Sequence, residues 1–213
     1  MTRADVKARR RYDSSGRLSA AQARRRLVLD AAGRRFLRDG YAATTVSSIA
    51  ADAGVSVEMV YKAYGGKAGL VRALWEAALA GEGRVHAEVR SDEVSSAAAD
   101  PALIVASWAR LSKEVAPRVA PVLLLVRAAA ATDPEMRRLQ DELAAQRLAR
   151  MAHNADALAR PGHLRQGVTH DHARDVLLTY TAPEVYELLV LRQGWSLEDY
   201  SQFIRQGVAA ALL

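Results

Sequence analysis

Hydrophobic residues recur with a helical period through most of the chain. Between residues 46 and 53, Val46, Ile49, Ala50 and Ala53 fall on one side of a helix. Half of the residues are hydrophobic, alanine and leucine dominate, and runs of aromatic or β-branched residues are sparse. We therefore predict an all-α protein with about nine helices.

Glycine, proline and capping residues divide this pattern into segments. The predicted helices cover residues 20–39, 46–53, 57–64, 67–80, 101–116, 122–131, 133–159, 171–192 and 196–213. Pro117 and Pro121 are expected to separate two helices because proline lacks an amide donor, and a weak pattern over 91–100 predicts a break. The predicted domains are a disordered basic arm (1–18), an N-terminal helical domain (19–80) and a C-terminal helical domain (81–213).

The most informative segment is residues 40–70, which has the pattern of two short helices joined by a tight turn. The Thr45 hydroxyl can cap the first helix, Gly54 permits a left-handed turn, and Ser56 can cap the second helix. Such a pair is typical of the DNA-binding helix-turn-helix. A purely structural helical hairpin shares part of this pattern, but it would rarely expose so many polar side chains beside Gly65-Gly66.

The charge distribution agrees with a nucleic-acid partner. The net charge of +6 divides into +8 over residues 1–80 and −2 over residues 81–213. Arginines and lysines crowd the arm, where two interpretations remain open. The arm is either a solubilising tail or a segment that follows phosphates or enters the minor groove, and its attachment to the helix-turn-helix favours the second.

Taken together, these motifs resemble the DNA-binding domain of the TetR family of transcriptional regulators. The resemblance covers roughly residues 22–75, with VLDAAGRRFLRDGY at 28–41, TTVSSIAADAGVS at 44–56, VYKAY at 60–64 and GGKAGL at 65–70. One departure is Arg35, at a position that is usually apolar in the family. We expect it to loosen or re-aim that part of the first helix.

The resemblance implies a homodimer that places helix 57–64 of each subunit in a DNA major groove. Hydroxyls and an ammonium at helix ends suit phosphates, and the outward side chains of helix 57–64 suit base edges. The predicted phosphate contacts are Thr44, Thr45, Tyr61 and Lys67; the predicted base contacts are Val57, Glu58, Met59 and Lys62; Ser47 fits either class, and Ser56 completes the predicted surface.

The C-terminal half resembles, more loosely, the ligand-binding and dimerisation domain of the same family. Its last two predicted helices carry more apolar residues than a helix needs to pack within its own subunit. This excess predicts a four-helix interface between two subunits. The predicted interface residues are Leu177, Val185, Leu188, Leu189, Phe203, Ile204, Val208 and Leu212. The alternative is that the apolar faces of both helices are buried within a single chain.

A small-molecule effector is expected to bind among the C-terminal helices. The candidate pocket residues are Trp108, Leu111, Leu124, Arg127, Met151, Tyr180 and Tyr186, each of which could equally be ordinary core. The predicted function is a transcriptional regulator, a repressor released from its operator by this effector. The alternative is a constitutive DNA-binding dimer, a regulator or architectural protein, without an effector.

Other functions have little support in the sequence. Without cysteine there are no disulfides or thiolate metal sites, and His153, His163, His170 and His172 have no metal-ligand spacing. We predict no catalytic site, no cofactor and no bound metal. Neither a signal peptide nor an apolar run of membrane-spanning length is present, so we expect a cytoplasmic protein.

Overall fold

The computed structural model describes residues 15–81, 85–97, 100–159 and 163–213. Within these ranges the chain is helical and has no strand, which confirms the predicted fold class. The helices are α1 (Ser15–Asp39), α2 (Val46–Ala53), α3 (Val57–Tyr64), α4 (Lys67–Ala80), α5 (Ala87–Ala97), α6 (Pro101–Ala130), α7 (Pro134–Leu158), α8 (His170–Tyr180), α9 (Pro183–Tyr186), which continues as a π-helix (Glu187–Arg192), and α10 (Leu197–Leu212).

The first three helices pack around one apolar cluster. Val28 and Phe36 of α1, Ile49 of α2 and Val60 of α3 are all fully buried in it. Phe36 also stacks on Tyr41, with 5.7 Å between the ring centroids, where the chain turns from α1 towards α2. This packing holds α2 and α3 at a fixed angle to α1.

Helix α4 connects these helices to the rest of the chain. Its Leu70 is buried in the N-terminal cluster, and the same cluster continues into Val126 of α6 and Leu139 of α7. Gly81 ends α4 in a positive-φ conformation (φ 63°), at the predicted domain boundary. The apolar core is thus continuous across that position, and the division into domains stays a prediction.

The C-terminal helices enclose a second apolar cluster. It is formed by α6, α7, α8 and α10 and includes Ile104, Trp108, Leu158, Tyr200 and Leu212. The Tyr186 and Tyr200 rings meet edge to face at 5.4 Å, so aromatic side chains from α9 and from α10 pack together in this core.

Two predicted interruptions are wrong. Helix α5 spans Ala87–Ala97, where a break over 91–100 was expected, and its buried Ser91 and Ser95 explain the weak apolar pattern. Helix α6 runs without a break through Pro117 and Pro121. Its tertiary contacts outweigh the two hydrogen bonds that these prolines remove.

The predicted helix over 171–192 is divided in the structure. Helix α8 ends at Tyr180, and Pro183 starts α9 in the first turn, where its missing amide hydrogen carries no penalty. The Thr181 hydroxyl donates to the Leu177 carbonyl at 2.8 Å and closes α8.

The predicted arm is only partly covered by the structure. Helix α1 begins at Ser15, so residues 15–18 are helical and that end of the predicted disorder is wrong. Residues 1–14 lie outside the described residues, and the arm's role in DNA contact stays a prediction.

Candidate nucleic-acid interface and internal cavity

Short-range hydrogen bonds build the turn between α2 and α3. The Ser48 amide donates to the Thr45 hydroxyl at 3.1 Å, and the Met59 amide donates to the Ser56 hydroxyl at 3.2 Å. Between the helices Gly54 adopts a left-handed conformation with φ of 64°. The predicted capping residues and turn therefore stand where the sequence pattern placed them.

One face of α3 is turned to solvent. Val57, Glu58, Tyr61 and Lys62 are exposed, Tyr61 by 52%, whereas Val60 is fully buried against the N-terminal core. Thr45, Ser47 and Ser56 are exposed beside this face. These side chains are accessible for the predicted DNA contacts, as the side chains of a helix that enters a major groove must be.

Two members of the predicted DNA-binding set are turned inward. Thr44 is only 1% exposed, and its hydroxyl donates to the Gly40 carbonyl at 2.8 Å. The Thr44 hydroxyl already donates its hydrogen within the protein and is not accessible. The predicted phosphate contact of Thr44 is therefore corrected. Met59 is half-buried against the N-terminal core and presents less surface to a base than Val57 or Glu58.

Lys67 anchors the start of α4. Its ammonium donates to the Tyr41 carbonyl at 2.8 Å and lies 4.2 Å from the centre of the Tyr41 ring. An ammonium has three donors, so one bond to a carbonyl leaves two for a phosphate. The predicted phosphate contact therefore stays a prediction, and a positioning role is added to it.

Arg35 clamps α1 to α2. Its guanidinium donates to both oxygens of Asp52, at 2.6 and 2.8 Å. This hydrogen bonding lowers the pKa of the Asp52 carboxyl and raises that of Arg35. The expectation that Arg35 loosens the first helix is wrong, because its unusual position is matched by an acid on the facing helix.

A cavity of about 180 Å³ opens between α4, α5, α6, α7, α8, α9 and α10. Most of its wall is apolar, with a few polar groups on α5 and α7. The lining includes Trp75, Leu79, Val105, Trp108, Leu111, Val115, Leu123, Arg147, Arg150, Met151, Asn154, Leu177, Tyr186, Tyr200, Ile204 and Val208. Such a wall suits an apolar molecule held by a few polar contacts.

The predicted pocket residues divide into two groups. The structure brings together Trp108, Leu111, Met151 and Tyr186 on the cavity wall.

Leu124, Arg127 and Tyr180 are not on that wall, so these assignments are corrected. The Arg127 guanidinium is exposed and pairs with Glu184 at 2.7 Å, and the Tyr180 ring packs on Phe203 with 5.3 Å between centroids.

Several cavity residues were missed. Trp75 and Leu79 reach the cavity from α4, which was assigned to the N-terminal domain. On α7, Arg147, Met151 and Asn154 follow the spacing i, i+4 and i+7. This spacing was available as a signal, because residues so spaced share one face of a helix.

The predicted dimer interface is corrected in part. Four of its members have at most 3% exposure within the single chain: Leu177, Ile204, Val208 and Leu212. They belong to the core around the cavity and have no surface left for a partner.

Other apolar side chains remain on the surface near the π-helix. Leu188 is 52% exposed and Leu191 55% exposed, and the partly exposed Trp195 packs edge to face on Phe203 at 6.0 Å. Val185, Leu189 and Phe203 are half-buried, and an interface through them and Leu188 stays a prediction.

The histidines form no metal site in the part of the chain that the structure describes. Instead, His153 approaches Asp92 at 3.0 Å, and His170 approaches Asp156 at 2.9 Å and Asp171 at 3.5 Å. Among the described helices, none is both long and apolar enough to cross a membrane.

A comparison with known families decides the nature of the N-terminal helices. Residues 28–74 match the family model described as "Bacterial regulatory proteins, tetR family". Residues 28–74 therefore belong to the TetR family. This confirms the resemblance found in the sequence and supports DNA-binding transcription regulation as the coarse function. No curated protein matches the chain at a significant level.

Solved structures share the fold over most of the chain. The fatty acid degradation regulator FadR from Bacillus halodurans has a TM-score of 0.70 at 19% identity, over 87% of this chain and 94% of that chain. The transcriptional regulator FadR from Bacillus subtilis, in complex with stearoyl-CoA, has a TM-score of 0.69 at 19% identity, over 88% and 98%. The ketosteroid transcriptional regulator KstR2 of Mycobacterium tuberculosis has a TM-score of 0.60 at 19% identity, over 89% and 94%. At these identities the likeness shows the TetR-like fold.

Proposed function

We propose that this protein is a homodimeric, operator-binding repressor that a small molecule in the C-terminal cavity releases from DNA. The observation that carries the proposal is the position of α4. Its first residue, Lys67, contacts Tyr41 beside the helix-turn-helix, and its Trp75 and Leu79 line the cavity. A ligand that displaces these two side chains would move α4 and, through it, the recognition helix.

Polar contacts connect α4 firmly to the C-terminal helices. Arg72 of α4 makes a bidentate ion pair with Glu142 of α7, and one of its two contacts measures 2.6 Å. The Arg118 guanidinium of α6 donates to the Ala78 carbonyl at 3.0 Å. Helix α4 therefore contacts the helix-turn-helix at its first residue and is bonded to α6 and α7 further along. A movement of α4 would affect both regions.

The cavity favours an effector over a constitutive DNA-binding dimer. Its volume of about 180 Å³ is comparable with the ~150 Å³ of an engineered apolar cavity that binds benzene. The regulator FadR from Bacillus subtilis was solved in complex with stearoyl-CoA, which supports a ligand-responsive role in proteins of this fold. We infer that the cavity is the effector site.

Helix α3 would read the operator. In each subunit the exposed Val57, Glu58 and Lys62 would face base edges, and Thr45, Tyr61 and Lys67 would contact phosphates. Two recognition helices roughly 34–36 Å apart would meet half-sites one helical turn apart. The exposed Leu188 and Leu191 support a twofold interface near the π-helix that sets this distance.

The first test is footprinting on the DNA that flanks this protein's own gene. We expect a protected segment with two related half-sites, because the twofold dimer presents two copies of α3. A scrambled segment of equal length and base composition is the control. Equal affinity for both segments would contradict sequence-specific regulation, and protection that no small molecule relieves would favour the constitutive alternative.

A further inference from the structure

One face of α7 supplies both arginines of the cavity, and other polar side chains on the wall include Glu88 and Ser91 of α5, Ser112 of α6 and Thr181. Arg147, Arg150, Met151 and Asn154 all line it, at the spacing that places residues on a single helical face. The remaining wall is mostly apolar. A ligand that enters the cavity therefore meets its cationic groups on the α7 side, whereas Glu88 of α5, which also lines the cavity, is exposed to solvent.

The two arginines differ in how their charge is compensated. Arg150 donates to the Asp92 carboxylate at 2.5 Å, so an acid on α5 neutralises it. Arg147 donates only to the Thr181 carbonyl, at 3.3 Å, and forms no ion pair with any acid of the described residues. The acid near it, Glu184, pairs instead with Arg127 at 2.7 Å.

The surroundings of Arg147 favour an incoming anion. Desolvation lowers the pKa of the Arg147 guanidinium, against the opposing influence of Glu184 and Tyr200, but an arginine stays charged at neutral pH. Burial raises the pKa of Tyr200 to about 12, so its phenol is neutral and able to donate to an anion. Arg147 is partly buried, and withdrawing a cation from water without a carboxylate partner is unfavourable, so an anionic ligand would relieve that cost.

A second polar group in the cavity also lacks a partner. Asn154 is only 7% exposed, and its Oδ1 accepts no hydrogen bond from the described residues. Native structures rarely leave a buried amide unpaired without a reason, such as a bound water or ligand. Independently of Arg147, this atom indicates that the cavity is built to be occupied.

We propose that the effector is an organic acid with an apolar body, whose carboxylate binds Arg147. The apolar body would lie along the wall formed by Trp108, Leu111 and Tyr186, and Trp75 of α4 would close over it. This inference rests on the proposed function, since it names the chemical class of molecule that the effector site would take.

The test compares three probes that share one alkyl chain: octanoate, octan-1-ol and octylamine. Binding to the full-length protein is measured by calorimetry at pH 7, where the acid is ionised and the amine is protonated. We expect octanoate to bind about tenfold more tightly than octan-1-ol or better, which is the factor that a charged hydrogen bond contributes. Octylamine should bind weakest, because its ammonium would meet the Arg147 charge.

Variants then locate the contact. Arg147→Gln should weaken octanoate binding by about tenfold or more while octan-1-ol changes less than about twofold. Arg147→Lys keeps the charge and should retain part of the octanoate affinity. Arg138→Gln is the matched control, since Arg138 is an exposed arginine on the same helix, outside the cavity wall, and should change neither.

The outcomes separate this inference from the function on which it rests. Equal or better binding of octan-1-ol or octylamine by the wild type would overturn the acid assignment while keeping the cavity as a ligand site. An equal loss of octanoate and octan-1-ol in a folded Arg147→Gln would overturn it as well. If no probe binds, both the assignment and the effector site fail. Octanoate binding that leaves operator affinity unchanged would support the acid assignment and contradict effector release.

Discussion

The helix-turn-helix and the cavity are both built from helices, but they are specified over different distances along the chain. In the first, Thr45 and Ser56 each accept from an amide three residues later, and Gly54 turns the chain between them. In the second, Trp75, Arg147 and Tyr200 meet from three helices that are far apart in sequence. A surface made of local motifs is visible in the sequence, whereas a cavity depends on which helices pack together.

For the same reason, the predictions made from the sequence fail in different ways in the two regions. In the helix-turn-helix the predicted elements are correct, and only the direction of single side chains, such as Thr44, was missed. In the C-terminal half the elements themselves differ, because α6 passes through Pro117 and Pro121 and α5 was not expected. The following experiments test this contrast, from the largest expected effect to the smallest.

The largest effect is expected from Leu188→Asp. In the proposed dimer this exposed leucine is covered by the partner, so a buried unpaired carboxylate would cost several kcal/mol, enough to break a micromolar dimer. Sedimentation should show a monomer that has lost operator binding, although no DNA-contacting residue is changed. Leu103→Asp, at another exposed leucine on α6, should remain dimeric. A Leu188→Asp variant that stays dimeric would place the interface elsewhere.

Glu58→Ala tests the surface that the sequence described best. We expect base preference to relax at one position of each half-site, at about 1–3 kcal/mol, because an exposed carboxylate on α3 can accept from a cytosine amine. Binding-site selection from a random library measures this. Glu76→Ala removes an exposed acid from α4 and serves as the control. An unchanged preference in Glu58→Ala would mean that Glu58 faces away from the bases.

Gly54→Ala tests how strictly the turn depends on one local conformation. A side chain at φ of 64° costs about 1–2 kcal/mol, so urea unfolding should show lower stability. The matched control is Gly33→Ala in α1, where an added Cβ meets Leu74 at 3.4 Å and alanine is the better helix former. Equal stability of the two variants would show that Gly54 is dispensable for the turn.

The smallest effect concerns the double role of Lys67. Lys67→Ala should weaken operator binding evenly across sequence variants and reduce the slope of log affinity against log salt by about one, since a phosphate contact releases about one counterion. Lys113→Ala, which removes a lysine paired with Glu198 at 2.7 Å, should leave the slope unchanged. A loss confined to one base position, or an unchanged slope, would leave Lys67 with only its structural bond to Tyr41.

The cavity shows why part of the site was beyond sequence reasoning. Trp108 and Met151 were predicted as lining, but so was Arg127, whose guanidinium is exposed and pairs with Glu184. All three are residue types that suit a pocket. Residue type does not show which side of a helix faces inward when the helices that pack against it are unknown. Arg147 was missed for the same reason, although its spacing to Met151 contained a usable signal.

By itself, the sequence determined the helical class, the caps and turn of the helix-turn-helix, and the exposed polar face of α3. These features depend on hydrogen bonds and backbone preferences that span only a few residues. Only the tertiary structure decided that Arg35 pairs with Asp52, that Leu177 and Ile204 are core, and that the charge of Arg147 faces a cavity. Each of these depends on packing between distant helices, where burial and pairing, not local propensity, set the free energy.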